Sequence, residues 1–476
     1  MRTFFVVFCV AWMGGIAAGT AGWPVGAMTA AVVAAATLAH QAGLTRPGMT
    51  AAAILAVLGC VHGRGIPLET CIPGEGWSGT VVERPRVRED WQQAVVDDGD
   101  GCRGLLTTDR WLQLPVGSTV RLSGGERQTL TDAAAFSAGY ANYLARQNIQ
   151  FIWRWPNVRT EVGRRDRLHL LYAGAQRRIS SVFYEPDAGI VRALLLADRS
   201  ALSDSLTDQF RRVGVSHVLA ISGLHVSVLM GIFYGAVLLL PLSVWPRLLF
   251  VGALLWGYVL FIGAPVSAVR ASIFWTLAGL ALASRQLVSL PSVFMAAAAA
   301  MLTMRPDLAA DAGWQLSFAA VAGIFLLLFL LRPRLHALGE KGGLRPLLLG
   351  LSAVSAGAVL TTWPLSLYHF GSISFVGLPA NMIIVPVSSL TLVLAAVVLL
   401  LSGVWQPAGL AVSFVVHLLV TVMDRVTAWL SRMPYASLDE VSLPVWMLVL
   451  YYVALFAASV FWLRRQERSW REVWVS

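Results

Sequence analysis

A polytopic α-helical membrane protein carrying a small all-β insert is what this chain of 476 residues predicts, on three observations. Hydrophobic residues make up 57% of it and charged residues only 13%, and the mean hydropathy is +0.67. Soluble domains run to about a quarter charged, so this composition excludes an ordinary soluble enzyme. Apolar runs long enough to cross a bilayer recur along the sequence, because about 20 helical residues span the hydrocarbon core. Residues 69–130 break that pattern with short β-type runs punctuated by Gly, Pro and Asp. The full expectation is about 10–12 membrane segments, an extracytoplasmic OB-like insert and interfacial amphipathic helices.

In chain order, residues 1–66 read as N-terminal membrane helices in three short passes, 3–22, 26–43 and 49–66. The first has the look of a signal peptide, but the next pass follows at once, which makes it an uncleaved anchor. Residues 67–131 hold the runs GTVVERPRV, QQAVVDD, CRGLLTTD and GSTVRLSG, which fit a five-stranded OB-type barrel. Residues 132–212 read as amphipathic, interfacial helices, because FIWRWPNVR and VGRRDRLHLLYAGAQRRI mix Arg with Trp, Leu and Tyr. Within them, Ser203 or Asp204 is placed to cap a helix that ends at Arg211 and Arg212. Residues 213–464 carry the remaining apolar runs as a transmembrane domain, with 405–430 lying partly along the surface, and 465–476 form a basic tail.

Charge sets the orientation. The net charge of +10 is almost wholly arginine, Lys341 being the single lysine. The loop RPRLHALGEKGGLR (332–345) and the tail RRQERSWR (464–471) are basic and adjoin helix ends, so both belong in the cytoplasm. Counting spans from Arg2 or back from 332–345 places the β insert outside in either case. There Cys71 and Cys102 are placed to form a disulfide, with Cys60 a competing partner. None of the four cysteines forms a CxxC pair, so no zinc site and no cofactor are expected.

Several polar groups interrupt the apolar runs. In HVLAISGLHV (217–226), a continuous helix puts His217, Ile221, Leu224, His225 and Val228 on one face, with Ser222 and Gly223 loosening the helix between the histidines. Two readings are open: a helix contact through small residues and a hydrogen-bonded histidine, or the lining of a polar path. VSAVRASIF brings Arg270 about one turn into a helix that Pro265 starts, where it either snorkels or faces a polar path. DAGWQLSFAA puts Asp311, Trp314, Gln315 and Phe318 on one face, and Asp311 suits a helix N-terminus. The stretch 364–386 combines His369 and Asn381 with Gly371, Gly377, Pro379 and Pro386, and reads as a re-entrant or broken-helix region. By the span count these groups share an outer depth, with His225 nearer the middle, which favours one extracytoplasmic vestibule lined by His217, Ser222, Gly223, His225, Arg270, Gln315, His369 and Asn381. Asp198, Arg199 and Asp311 read as structural polar support, the two Asp holding Arg or His side chains in place.

Basic charge concentrates after the insert. Residues 69–132 hold seven Arg against eleven acids, whereas 140–180 hold eight Arg against two. Arg154, Arg164, Arg165, Arg167, Arg177 and Arg178, with Arg211 and Arg212, are therefore candidates for contact with DNA phosphates or lipid headgroups.

LLLADRSALSD, HVLAISGLHV, VSAVRASIF, DAGWQLSFAAVAGI and YHFGSISFVGLPANMIIVPV, in that order, resemble the competence domain of the ComEC family. With the N-terminal helices and OB-like insert, the resemblance covers nearly the whole chain. It implies a channel of the bacterial cytoplasmic membrane that passes one DNA strand during natural transformation after its partner strand is degraded. Many members carry a C-terminal metallo-β-lactamase-like domain, but none of the eight histidines here lies in an HxHxDH signature. The expected form is thus the one lacking that domain, with no catalytic or metal residues. Expected partners are single-stranded DNA, membrane lipid, a separate nuclease, a DNA receptor and an ATP-driven translocation protein, since no GxxxxGK[ST] loop is present. Two other functions compete: an intramembrane hydrolase using Ser222 and His225, and a transporter of a small or lipid-linked solute.

Overall fold

Alternation of apolar and polar residues after Cys71 builds a sheet. In this computed structural model, residues 71–475 are described apart from 72, 84, 88–89, 113, 130–143, 145–148, 162–166, 285–289, 305–307, 309–310, 340–343, 440 and 442. The three N-terminal passes lie outside the described residues. The strands are β1 (Ser78–Val81), β2 (Arg86–Val87), β3 (Trp91–Asp97), β4 (Arg103–Asp109), β5 (Thr119–Ser123), β6 (Glu126–Thr129), β7 (Phe151–Arg154) and β8 (Asn157–Glu161). They pair in the order β6-β7-β4-β3-β1-β5-β8, with β2 added to β3, as an OB-like curved sheet. Only β4 and β7 run parallel among these pairs. Val81, Val96, Leu106, Val120, Leu122, Phe151 and Trp153 fill the core on one face, while Val95, Leu105 and Ile152 pack with Leu144 and Ile149 on the other. A Cys71–Cys102 disulfide, with Cα atoms 5.6 Å apart, ties the start of the domain to the approach to β4.

The sheet corrects one expectation. FIWRWPNVR is not an amphipathic helix: it is β7, a turn and β8, so the sheet runs past residue 131 to Glu161. Its mixed composition has a period of two. Phe151 and Trp153 point into one core and Ile152 into the other, and the turn puts Trp155 at φ 52° before Pro156. Trp153 is 0% exposed, lies under Arg127 and donates its Nε1–H to the Gly124 carbonyl at 2.6 Å. It therefore offers no ring to an outside ligand.

Helices follow: α1 (Arg167–Val182), α2 (Asp187–Leu196), α3 (Asp204–Arg212), α4 (Gly223–Leu238), α5 (Val244–Phe261), α6 (Val266–Ala283), α7 (Leu290–Met304), α8 (Ala312–Gly339), α9 (Arg345–Phe370), α10 (Gly377–Val404), α11 (Gln406–Ser431) and α12 (Val445–Val475). Seven described helical segments are long and apolar enough to cross a membrane: Ser216–Leu238, α5, α6, Ala312–Ala337, α9, α10 and α11. The chain is a multi-pass membrane protein. Its described residues fall into two compact units, 71–283 with 383–434, and 284–382 with 435–475.

In the first unit, α4, α5 and α6 pack through Val226, Leu255, Val259 and Ala268, and are pinned by polar bonds. Trp275 Nε1 donates to Ser227 Oγ at 3.0 Å, and Trp256 Nε1 donates to Thr276 Oγ1 at 3.1 Å. Ser203 caps α3 by accepting the Leu206 N–H at 3.2 Å.

In the second unit, α8 and α9 pack at Gly323 and Gly357, where a Cβ on either glycine would collide with the other's backbone. The absent side chains let Thr361 Oγ1 reach across to the Ala319 carbonyl at 2.6 Å. Tyr452 on α12 donates to the Thr361 carbonyl at 2.6 Å. The Gly- and Pro-rich stretch expected as a re-entrant break is instead a helix end, a ribbon and a new helix. Gly371, at φ 64°, ends α9. β9 (Ile373–Ser374) then pairs antiparallel with β10 (Ser437–Leu438), and α10, whose residues from 383 onward belong to the first unit, runs unbroken through Pro386. Hydroxyls of Ser388 and Ser389 both bond the Val385 carbonyl at 2.9 Å, the kind of side-chain help that keeps a proline inside a membrane helix.

Candidate path-lining residues

HVLAISGLHV is not one helix. A single 3-10 turn covers Ser216–Val218, and α4 begins only at Gly223, with Ser222 as its N-cap. The His225 N–H donates to Ser222 Oγ, and the Ser222 N–H donates to His225 Nδ1, each at 3.4 Å. This is a capping box in which histidine occupies the place usually held by Glu or Gln. Ser222 and Gly223 therefore start the helix and do not loosen it, so His217 and His225 do not share a helical face. His225 is 1% exposed, whereas His217 is exposed beyond the helix. A strong N-cap residue outcompetes helix propagation, because its side chain satisfies a donor that the first turn otherwise leaves orphaned.

The irregular backbone before the cap is held from outside. Arg199 Nε donates to the Leu219 carbonyl at 3.0 Å, and Ser267 Oγ donates to the Ile221 carbonyl at 2.5 Å. Asp198 accepts Gln176 Nε2 at 2.6 Å and the Ser200 N–H at 3.0 Å. Asp198 thus braces α1 and its own turn. Arg270 lies half-buried on α6, three residues after Ser267.

In the other unit, Asp311 accepts the Trp314 N–H at 2.7 Å and caps α8. Asp311 thus bonds its own helix, and Asp198 bonds Gln176 and a backbone N–H, in place of the Arg or His partners expected. Gln315, 3% exposed, accepts His369 Nε2 at 2.7 Å, joining α8 to the end of α9. Because an amide oxygen only accepts, Nε2 carries the proton in this bond. Asn381 sits in the second turn of α10, and its Oδ1 is buried without a hydrogen-bond partner among the described residues. The eight path candidates thus divide: His217, Ser222, Gly223, His225 and Arg270 in one unit, and Gln315, His369 and Asn381 in the other.

Of the basic candidates, Arg164 and Arg165 lie outside the described residues, and Arg167 begins α1. Arg154 stands opposite Glu126 and Thr107 in the sheet. Arg177 is exposed and bonds back to the Ala173 carbonyl, and Arg178 reaches Ser402 Oγ at 3.3 Å. Arg211 pairs with Asp208 at 2.9 Å, and with Arg212 it occupies the last turn of α3, where a helix dipole favours cations.

One pair escaped sequence reading: Asp187, 8% exposed at the start of α2, bonds His417 Nδ1 on α11 at 2.7 Å. The partners are 230 residues apart and share no motif, so only packing brings them together. Among the described residues no three His, Cys, Asp or Glu side chains converge as a metal site.

Fold and site together define a multi-pass membrane protein with an OB-like domain and buried, hydrogen-bonded polar groups inside its apolar helices. The chain belongs to the competence protein family, whose profile, described as "Competence protein", matches residues 194–465. That span opens on LLLADRSALSD and takes in all five quoted motifs. The chain is 29% identical over 367 residues to "ComE operon protein 3" of Bacillus subtilis (strain 168), covering 74% of this chain and 43% of that relative. It thus spans less than half of the relative's length. No solved structure matches it significantly.

Proposed function

We propose that this protein passes a single strand of DNA across the bacterial cytoplasmic membrane during natural transformation. The observation that carries this reading is the competence-family match over 194–465, which contains every polar group described inside the apolar helices from Arg199 to Asn381. Polar side chains are costly in a bilayer unless they face protein or water, and a series of them within these helices supports the reading of a polar path. In one unit the proposed lining is His217, Ser222, Gly223, His225 and Arg270, and in the other Gln315, His369 and Asn381. The sheet domain is proposed to lie outside the cytoplasm, which the Cys71–Cys102 disulfide supports, with both termini inside. A DNA receptor, a nuclease and an ATP-driven translocation protein are the proposed partners.

A conduit is favoured over a hydrolase by the geometry at Ser222. Catalysis needs the serine hydroxyl to give its proton to the histidine ring. Here Ser222 Oγ accepts a backbone N–H, and the His225 ring nitrogen nearest it accepts another. The test is deletion of the gene, with entry of labelled DNA into the cytoplasm measured separately from binding at the cell surface. Loss of entry with surface binding retained is the expected result, and unchanged entry overturns the assignment.

A further inference from the structure

We propose that Arg121 on β5 and Arg159 on the edge strand β8, side by side across the two strands, form a phosphodiester-binding site for a single-stranded nucleic acid. The proposal rests on DNA being this protein's cargo and assigns that cargo a contact outside the membrane helices. Strand β8 ends the sheet order, so its outer side has no partner strand among the described residues. In the β5–β8 register Arg121 stands directly opposite Arg159, and both are exposed on the face away from Val120 and Leu122.

Like charges directly opposite one another destabilise an antiparallel pair. Neither guanidinium has an ion pair or hydrogen bond among the described residues. On this face Glu161 is set opposite Thr119, one exposed pair further along, and Asp97 stands two strands away in the same row, opposite Thr80. On the other side of the two arginines the face continues with Ser123 opposite Asn157, and no carboxylate intervenes before the turn that exposes Trp155. The arrangement stands out more because 69–132 is otherwise acidic, with eleven acids against seven Arg.

An isolated exposed arginine is ordinarily just solvated. Two of them 38 positions apart in sequence, brought into register without an ion pair among the described residues, retain a repulsion that an anion between them removes. An extended strand of nucleic acid supplies that phosphate, and Trp155, exposed two residues before β8 begins, supplies an indole on which a base stacks. Guanidinium groups suit phosphate through paired N–H donors. A lipid headgroup offers the same charge without a base for Trp155, so a strand is the occupant the edge fits better.

The experiment uses the full chain in nanodiscs of neutral lipid and a fluorescent oligothymidylate, with binding read by anisotropy at rising salt. The double variant R121Q/R159Q is expected to bind at least tenfold more weakly. Its log K against log salt is expected to flatten by about 1.4, the release of two counter-ions from a single strand. Its melting temperature is expected to stay level or rise, because the repulsion is gone, and R159K is expected to keep most of the affinity. Unchanged affinity and salt slope in R121Q/R159Q overturn the site. So does loss of binding to anionic vesicles with oligonucleotide binding intact, which would make the edge a lipid contact. Failure here and failure of the conduit are separable. A deletion strain that still imports DNA defeats the conduit while leaving the binding result standing, and a double variant that binds normally defeats only the edge.

Discussion

At the residue scale, the polar groups in the apolar helices prove to be mostly helix-end chemistry. Ser222 and Asp311 each accept the N–H three residues on, and both sit immediately before a helix that enters the apolar region. A membrane offers no water to those orphan donors, so a capping side chain matters more there than on a soluble surface. Replacing Ser222 with Ala is expected to cost about 1 kcal/mol of stability in detergent. Asn caps nearly as well as Ser but is no nucleophile. S222N is therefore expected to support DNA uptake near the wild-type level while S222A lowers it in step with its protein level. Uptake abolished by S222N with normal folding would reinstate a chemical role for the hydroxyl. The Gln315–His369 bond differs in kind, because it links two helices and caps neither.

At the scale of elements, close approach decides the packing of α8 on α9. Gly323 and Gly357 leave no room for a Cβ, and the Thr361-to-Ala319 bond depends on that contact. A G357L substitution is expected to destabilise the second unit by about 2–3 kcal/mol, the scale of overpacking a tight interface. Thermal aggregation in detergent checks it, with G350L as control, since Gly350 has open space around its Cβ position. The apolar runs from 213 onward announce these helices plainly, because length and hydropathy are local properties. The strands β7 and β8 were hidden by their composition. Trp at 153 and 155 mixed with Arg at 154 and 159 looks amphipathic on a helical wheel as well, and only the two cores flanking β7 separate the readings.

For the molecule as a whole, the Cys71–Cys102 bridge connects stability to compartment. It closes a loop of 31 residues' separation, for which the chain-entropy model gives about 3–4 kcal/mol. C71S/C102S is expected to lower the protease resistance of the sheet domain by a matching factor while leaving the helical units intact. In native membranes both cysteines are expected to resist maleimide until a reductant is added. Labelling without reductant would remove the support that the bridge lends to an outside location. The Asp187–His417 bond also belongs to this scale, since it ties α2 to a helix 230 positions away.

Composition, hydropathy runs and five ordered motifs were enough to identify a multi-pass competence-family protein with an OB-like insert, because each is written locally in the chain. Where α4 starts, which arginines face each other across β5 and β8, and which carboxylate meets His417 were not legible there. Those depend on register, capping competition and contacts between distant segments, and such free-energy differences exist only once the chain has closed on itself.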